Sequence, residues 1–158
     1  MANVPARRSL VPLYSGTVTE REPFRVEIKV RHYELDTLGH LNHAVYHSYG
    51  EVARTEAFEQ AGGAALREQN LAPVLLESHI VFRREIRAGE TVHVGCEAKF
   101  GTGKTFQMIN NIHKADGTLS AEITCTLGLM DLGRRKLVED PRGHCERAGL
   151  DISVLTAE

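Results

Sequence analysis

One stretch limits what this chain can fold into more than any other: residues 31–58, RHYELDTLGHLNHAVYHSYGEVARTEAF. Its first part is polar and turn-rich and holds Asp36, His40 and His43. Its second part carries a helical pattern. Asn42 is the expected N-cap, since its side chain can accept from the free amides of a first helical turn. Beyond it, Tyr46, Tyr49, Gly50, Ala53, Ala57 and Ala61 recur on one face. That face is mostly small, so a sheet can approach the helix backbone closely. Gly62-Gly63 is the expected stop, because glycine accepts the left-handed conformation that ends helices.

The rest of the chain alternates with a period of two, the signature of half-buried strands. Before the helix, Phe24, Val26, Ile28 and Val30 face one way and Arg25, Glu27, Lys29 and Arg31 the other. After a short helical or irregular piece at residues 64–70, Leu76, Ser78, Ile80 and Phe82 form an inward row. Val92, Val94, Cys96, Ala98 and Phe100 form a second. Phe106, Met108, Asn110 and Ile112 form a third, and Leu119 through Leu129 a fourth. Turns are expected at Ala88-Gly89-Glu90, Gly101-Thr102-Gly103 and Gly133-Arg134-Arg135, with a two-residue hairpin at Asp116-Gly117. The expectation is an α+β domain over residues 21–140, a curved antiparallel sheet around one helix. Residues 1–20 read as a flexible tail and residues 141–158 as a polar C-terminal extension.

Charge and cysteine content exclude several functions. The 19 basic and 21 acidic residues of the 158-residue chain leave a formal charge of −2, with no bulk attraction for nucleic acid. No apolar run is long enough to span a membrane, and no signal-peptide core precedes residue 14. Cys96, Cys125 and Cys145 are three and widely spaced, fitting neither a disulfide framework nor a zinc ribbon. Free thiols in a reducing cytoplasm are expected.

Several patterns bear on chemistry. Residues 98–105, AKFGTGKT, imitate a phosphate-binding loop, but a true one is followed by a helix. Here alternation follows, so a hairpin turn is expected. His43 and His47 stand four apart, as metal-binding pairs do on helices, with His40 and Asp36 nearby. The pattern lacks the glutamate of HExxH, so the expectation is no metal and no other cofactor. His32 and His47 read as surface histidines. Asp36 followed by Thr37-Leu38-Gly39 is also a natural turn former, so its residues alone leave structure and catalysis both open.

A wider pattern weighs on that choice. Val30-Arg31, Glu34-Leu35-Asp36, Gly39-His40-Leu41-Asn42-His43, Tyr46 and Glu51-Val52-Ala53-Arg54 reproduce a strand end, an aspartate, a glycine-containing turn and the start of a long helix. This resembles the hot-dog-fold thioesterases of the 4-hydroxybenzoyl-CoA thioesterase group, over about residues 20–140. The resemblance implies a hot-dog fold, hydrolysis of an acyl-CoA thioester, and a homodimer or homotetramer with active sites between subunits. It implies that Asp36 is the catalytic carboxylate and that the His43 amide receives the thioester carbonyl. Asn42, His43 and Ala44 then form the oxyanion site. Gly39, His40, Tyr46, Lys104 and Thr105 are the further expected substrate contacts.

Physical chemistry supplies a mechanism for those positions. A helix start offers free amides and partial positive charge to a developing oxyanion. An ionised Asp36 can attack the carbonyl to give a mixed anhydride or activate water as a general base. Both routes stay open. So do a carrier-protein thioesterase or a hot-dog dehydratase, and a binder of acyl ligands without catalysis, because a fold hosts many functions.

Overall fold

The structure is a computed structural model describing residues 23–157, so the expected tail of residues 1–20 lies outside the described residues. Strand β1 (Arg25–Lys29) leads through a single 3-10 turn (His32–Glu34) to helix α1 (His43–Gln60). Helix α2 (Ala64–Glu68) follows, then β2 (Leu71–Phe82), β3 (Thr91–Gly95), β4 (Glu97–Phe100), β5 (Thr105–Lys114), β6 (Leu119–Asp131) and β7 (Lys136–Leu137). Two short helices, α3 (Pro141–Arg147) and α4 (Ile152–Leu155), close the described chain. The strands pair antiparallel in the order β1-β3-β5-β6-β2, with β4 on β5 and β7 on β6. The curled sheet around one long helix is the α+β hot-dog arrangement expected.

Helix α1 forms where its cap and its face predict. The Asn42 side chain accepts from the Ala44 amide at 3.0 Å. The helix ends before Gly62, which takes a φ of +94°. Tyr46, Tyr49, Gly50, Ala53, Ala57 and Ala61 are all buried, joined by Phe58. A Cβ added at Gly50 would come 3.1 Å from the Ile123 side chain of β6. The sheet therefore rides directly on the helix backbone, which is why small residues occupy that face.

The strands keep the expected parity but differ in detail. The β3 row is interrupted at Cys96, whose amide bonds to the Phe24 carbonyl at 3.2 Å, while Val94 opposite Ile112 and Glu97 opposite Ile109 keep one register. In β2 the expected inward row of Leu76, Ser78, Ile80 and Phe82 needs correction. A bulge at Leu76 lets Leu75 face Leu127 while Ser78 faces Cys125. The inward row is Leu75, Ser78, Ile80 and Phe82. The Asp116-Gly117 hairpin is also corrected: Lys114 pairs with Thr118 around three residues, and of these only Gly117 has positive φ, +87°. A two-residue type I′ turn needs positive φ at both positions, which Asp116 does not adopt. The imitation phosphate loop is a β4–β5 hairpin with no following helix, and Lys104 pairs with Glu139 at 3.3 Å.

The stretch from Pro141 holds more structure than a polar extension suggests. Cys145, Leu150, Ile152, Val154 and Leu155 join the core, and the Asp151 amide bonds to the Ala61 carbonyl at the end of α1. Gly149, at φ +88°, splits the segment into two short helices, so no long periodic run announces it.

Candidate active site

The polar loop before α1 is built on an aspartate. Leu35 and Leu41 bridge across its neck, and the Asp36 amide bonds to the His40 carbonyl at 2.7 Å. Inside the loop, Asp36 Oδ1 accepts from the amides of Leu38 at 2.8 Å and His40 at 3.1 Å. Gly39 closes the turn at φ +78°. Oδ1 shapes the turn, as the turn reading expects, while Oδ2 takes no donor among the described residues. The carboxyl is held below its ordinary value of 3.8. The His40 amide is the main cause; slight burial opposes it, and the Leu38 amide and the His40 and His43 imidazoles reinforce it.

The helix start stands next to this loop. Asn42 engages the Ala44 amide with its side chain and the Val45 amide with its carbonyl, at 3.0 and 2.9 Å. The His43 amide is left without an acceptor among the described residues. His43 and Ala44 are exposed and Asp36, His40 and Asn42 half-buried, so the loop and the helix start open to the surface.

Two supports hold the loop, and local sequence announces neither. Tyr49 donates to Glu34 Oε2 at 2.6 Å, and Glu34 also takes the Arg31 amide and guanidinium at 2.8 and 3.0 Å. Burial pushes the Glu34 carboxyl up, but these bonds together outweigh it and the net shift is down. Burial, and then Glu34, raise the Tyr49 hydroxyl far above the usual phenol range. On the other side, the Leu41 amide bonds to the Ile86 carbonyl at 2.7 Å, and His40 bridges to Arg87. Contacts this distant in sequence leave only a Tyr on the helix face and an apolar residue after β2 as signals.

The remaining expected contacts fall elsewhere. Tyr46 is 3% exposed, packs edge-on against Phe82 at 5.1 Å, and turns its hydroxyl toward Ser120 and the Ile86 backbone. Lys104 and Thr105 lie at the far end of β5 from Lys114, which reaches the Glu85 carbonyl near the Asp36 loop at 3.1 Å. At about 3.3 Å per residue, that separation is roughly 30 Å, so one subunit does not unite them with Asp36. His47 turns to Ser78 Oγ at 3.1 Å, and among the described residues no three His, Cys, Asp or Glu side chains gather as a metal group. A cleft of about 760 Å³ between β1 and α1, lined by Ile28, Val30, Arg31, Tyr49 and Val52 among others, contains neither Asp36 nor His43.

Known proteins share this architecture. The fold matches YbaW, a probable thioesterase from Escherichia coli, at TM-score 0.73 and 24% identity, over 79% of this chain and 95% of that one. It matches Slr0204, a 1,4-dihydroxy-2-naphthoyl-CoA thioesterase from Synechocystis, at TM-score 0.68 and 17% identity, over 79% and 93% of the two chains. The hypothetical protein TT1821 from Thermus thermophilus matches at TM-score 0.70 and 26% identity, over 83% and 98%. A family model, the thioesterase-like superfamily, matches residues 30–147, from the end of β1 through α3 and across the Asp36 loop. A match over that much of the chain makes it a thioester hydrolase belonging to the thioesterase-like superfamily.

Proposed function

We propose that this chain hydrolyses an acyl-CoA thioester, with Asp36 as the reacting carboxylate and the start of α1 as the oxyanion site. The observation that carries this is the juxtaposition at the helix entrance. Among the described residues, Asp36 Oδ2 has no protein donor while Oδ1 is fixed by two amides, and the His43 amide has no acceptor. A thioester carbonyl docked at that amide is polarised by the N–H and by the helix dipole. Asp36 then forms a C–O bond to the carbonyl carbon as the C–S bond breaks, and water cleaves the anhydride. Alternatively, Asp36 takes a proton from the water that attacks. In either route the coenzyme A thiolate leaves without a dedicated acid, and no cofactor takes part. The depressed Asp36 pKa favours attack and weakens the base.

The exposed edge of β2 supports a subunit arrangement. Among the described residues this strand of 12 residues pairs only with β6, and it exposes Leu75, Leu76 and Phe82 by half or more. A long apolar edge of this kind is a pairing surface. A homodimer through β2, or a homotetramer of such dimers, covers it and offers a route by which Lys104 and Thr105 of one subunit approach the Asp36 loop of another. The three buried, unpaired cysteines suit a reducing cytoplasm, and no described helix is long and apolar enough to cross a membrane.

The test is a panel of acyl-CoA esters, with the same acyl groups on an acyl carrier protein, followed by a thiol-detecting reagent. Release of free thiol from coenzyme A esters is expected. Thiol release from the carrier-protein esters alone would move the substrate assignment to the phosphopantetheine arm. Binding without any release would leave a non-catalytic acyl binder.

A further inference from the structure

The inward row of β2 is apolar with one exception. Leu75, Ile80 and Phe82 face the same side of the sheet as Ser78, opposite Leu127, Ile123, Ala121 and Cys125 respectively. Ser78 is the polar member, and it meets His47 of α1, with Oγ 3.1 Å from Nδ1. His47 stands four residues beyond His43, hence on the same helix face and about 6 Å further along the axis. An acyl chain whose carbonyl sits at the His43 amide and which runs along this face of α1 reaches this pair one helical turn on.

His47 is exposed and Ser78 half-buried, and Ser78 ties the pair to the interior. Ser78 Oγ lies 3.6 Å from Cys125 Sγ, which accepts from Arg54 Nη1 at 3.3 Å. The same Nη1 donates to Asn110 Oδ1 at 3.0 Å, and Asn110 Nδ2 donates to the Gly95 carbonyl at 2.8 Å. Asn110 and Cys125 are fully buried. Gly50 makes room for this arrangement, since a Cβ there would come 3.1 Å from the Arg54 guanidinium. A surface that receives only plain hydrocarbon has no use for polar groups anchored in this way. Leaving them against an alkyl chain strands their hydrogen bonds.

Resting on the thioesterase reading above, we propose that His47 and Ser78 are specificity-determining residues selecting an acyl group that carries a hydroxyl about five bonds from the thioester carbonyl, the reach set by one helical turn. The hydrogen-bonding logic favours a hydroxyl over a carboxylate. If Ser78 donates to Nδ1, the pair presents an Nε2–H donor and the Oγ lone pair. If Nδ1–H donates to Ser78, it presents an Nε2 acceptor and the hydroxyl proton. Either tautomer offers one donor and one acceptor. A hydroxyl satisfies both, a carboxylate one and an alkyl carbon neither.

The experiment separates this from the hydrolysis it rests on. Calorimetric titration of the wild-type protein uses the non-hydrolysable thioether analogues of 5-hydroxyhexanoyl-CoA, hexanoyl-CoA and glutaryl-CoA. The hydroxylated analogue is expected to bind about tenfold more tightly than the plain one, the scale of a hydrogen bond kept rather than lost. That ratio should fall to near one in Ser78→Ala and His47→Leu and return in Ser78→Thr, which restores the hydroxyl. A merely structural role would shift both affinities and leave the ratio alone. Equal or tighter binding of the hexanoyl analogue, a preference for the glutaryl one, or a ratio that survives in both variants overturns the assignment. If hexanoyl-CoA is hydrolysed all the same, the thioesterase reading stands and only the selectivity falls. If none of the analogues binds and no ester is cleaved, both fall.

Discussion

At the scale of single residues, the proposed site asks one side chain, Asp36, to serve both a turn and a reaction. Asp36 shapes its loop with one oxygen, and the amides that hold that oxygen keep the carboxyl ionised below its ordinary value of 3.8. Its pH dependence follows with a definite sign. A depressed folded pKa means the anion persists as pH falls, so kcat/KM should hold level down to about pH 4 and drop only below it. An acid limb centred between pH 5 and 7 would assign that limb to another group. Tyr49→Phe removes the donor 2.6 Å from Glu34 and should cost about 1–3 kcal/mol, as for a hydrogen bond to a charged acceptor. The net shift of Glu34 is also downward, so the stability it contributes is present above its unfolded pKa and is lost as pH falls through the folded value. Urea denaturation of the Tyr49→Phe protein should therefore show its full loss at pH 7 and a smaller one near pH 3. The Asp36 turn and the Asn42 cap could be read from the sequence because caps and turns are local. The Glu34–Tyr49 bond could not, because it joins groups 15 residues apart that only the folded helix brings together.

At the scale of elements, the small face of α1 decides how closely the sheet can approach. Ala53 and Ala57 have no exposed surface, and the space beside Gly50 ends 3.1 Å away at Ile123. Ala53→Leu should overpack this contact and cost about 1–3 kcal/mol, read as a lower melting temperature. A variant melting with the wild type would mean the helix does not lie where it is described. The face and the strand parity were legible because both repeat over many residues. Single-residue events were not. The bulge at Leu76 exchanges Leu76 for Leu75 in the inward row, yet both are leucine, so the pattern carries no mark of the shift. The core residues of α3 and α4 sit on either side of Gly149, too few in each piece to display a period.

At the scale of the whole molecule, the described residues present an exposed loop at the start of α1 and a β2 edge that none of them covers. Its most exposed inward-row residues, Leu75 and Phe82, lie on the strand that flanks the start of α1. Light scattering coupled to gel filtration should give a dimer or tetramer, and Phe82→Glu should shift it toward monomer with a parallel loss of turnover. A fully active monomer would remove the partner from the site. Asp36→Asn tests the proposed reacting carboxylate most directly, since it keeps size and most hydrogen bonding but removes the charge and the nucleophile. With the ester best cleaved by the wild type, kcat should fall by about two orders of magnitude or more while binding of its thioether analogue is retained. A folded Asp36→Asn protein that turns over the same ester at near the wild-type rate would contradict the assignment of Asp36 as the reacting group.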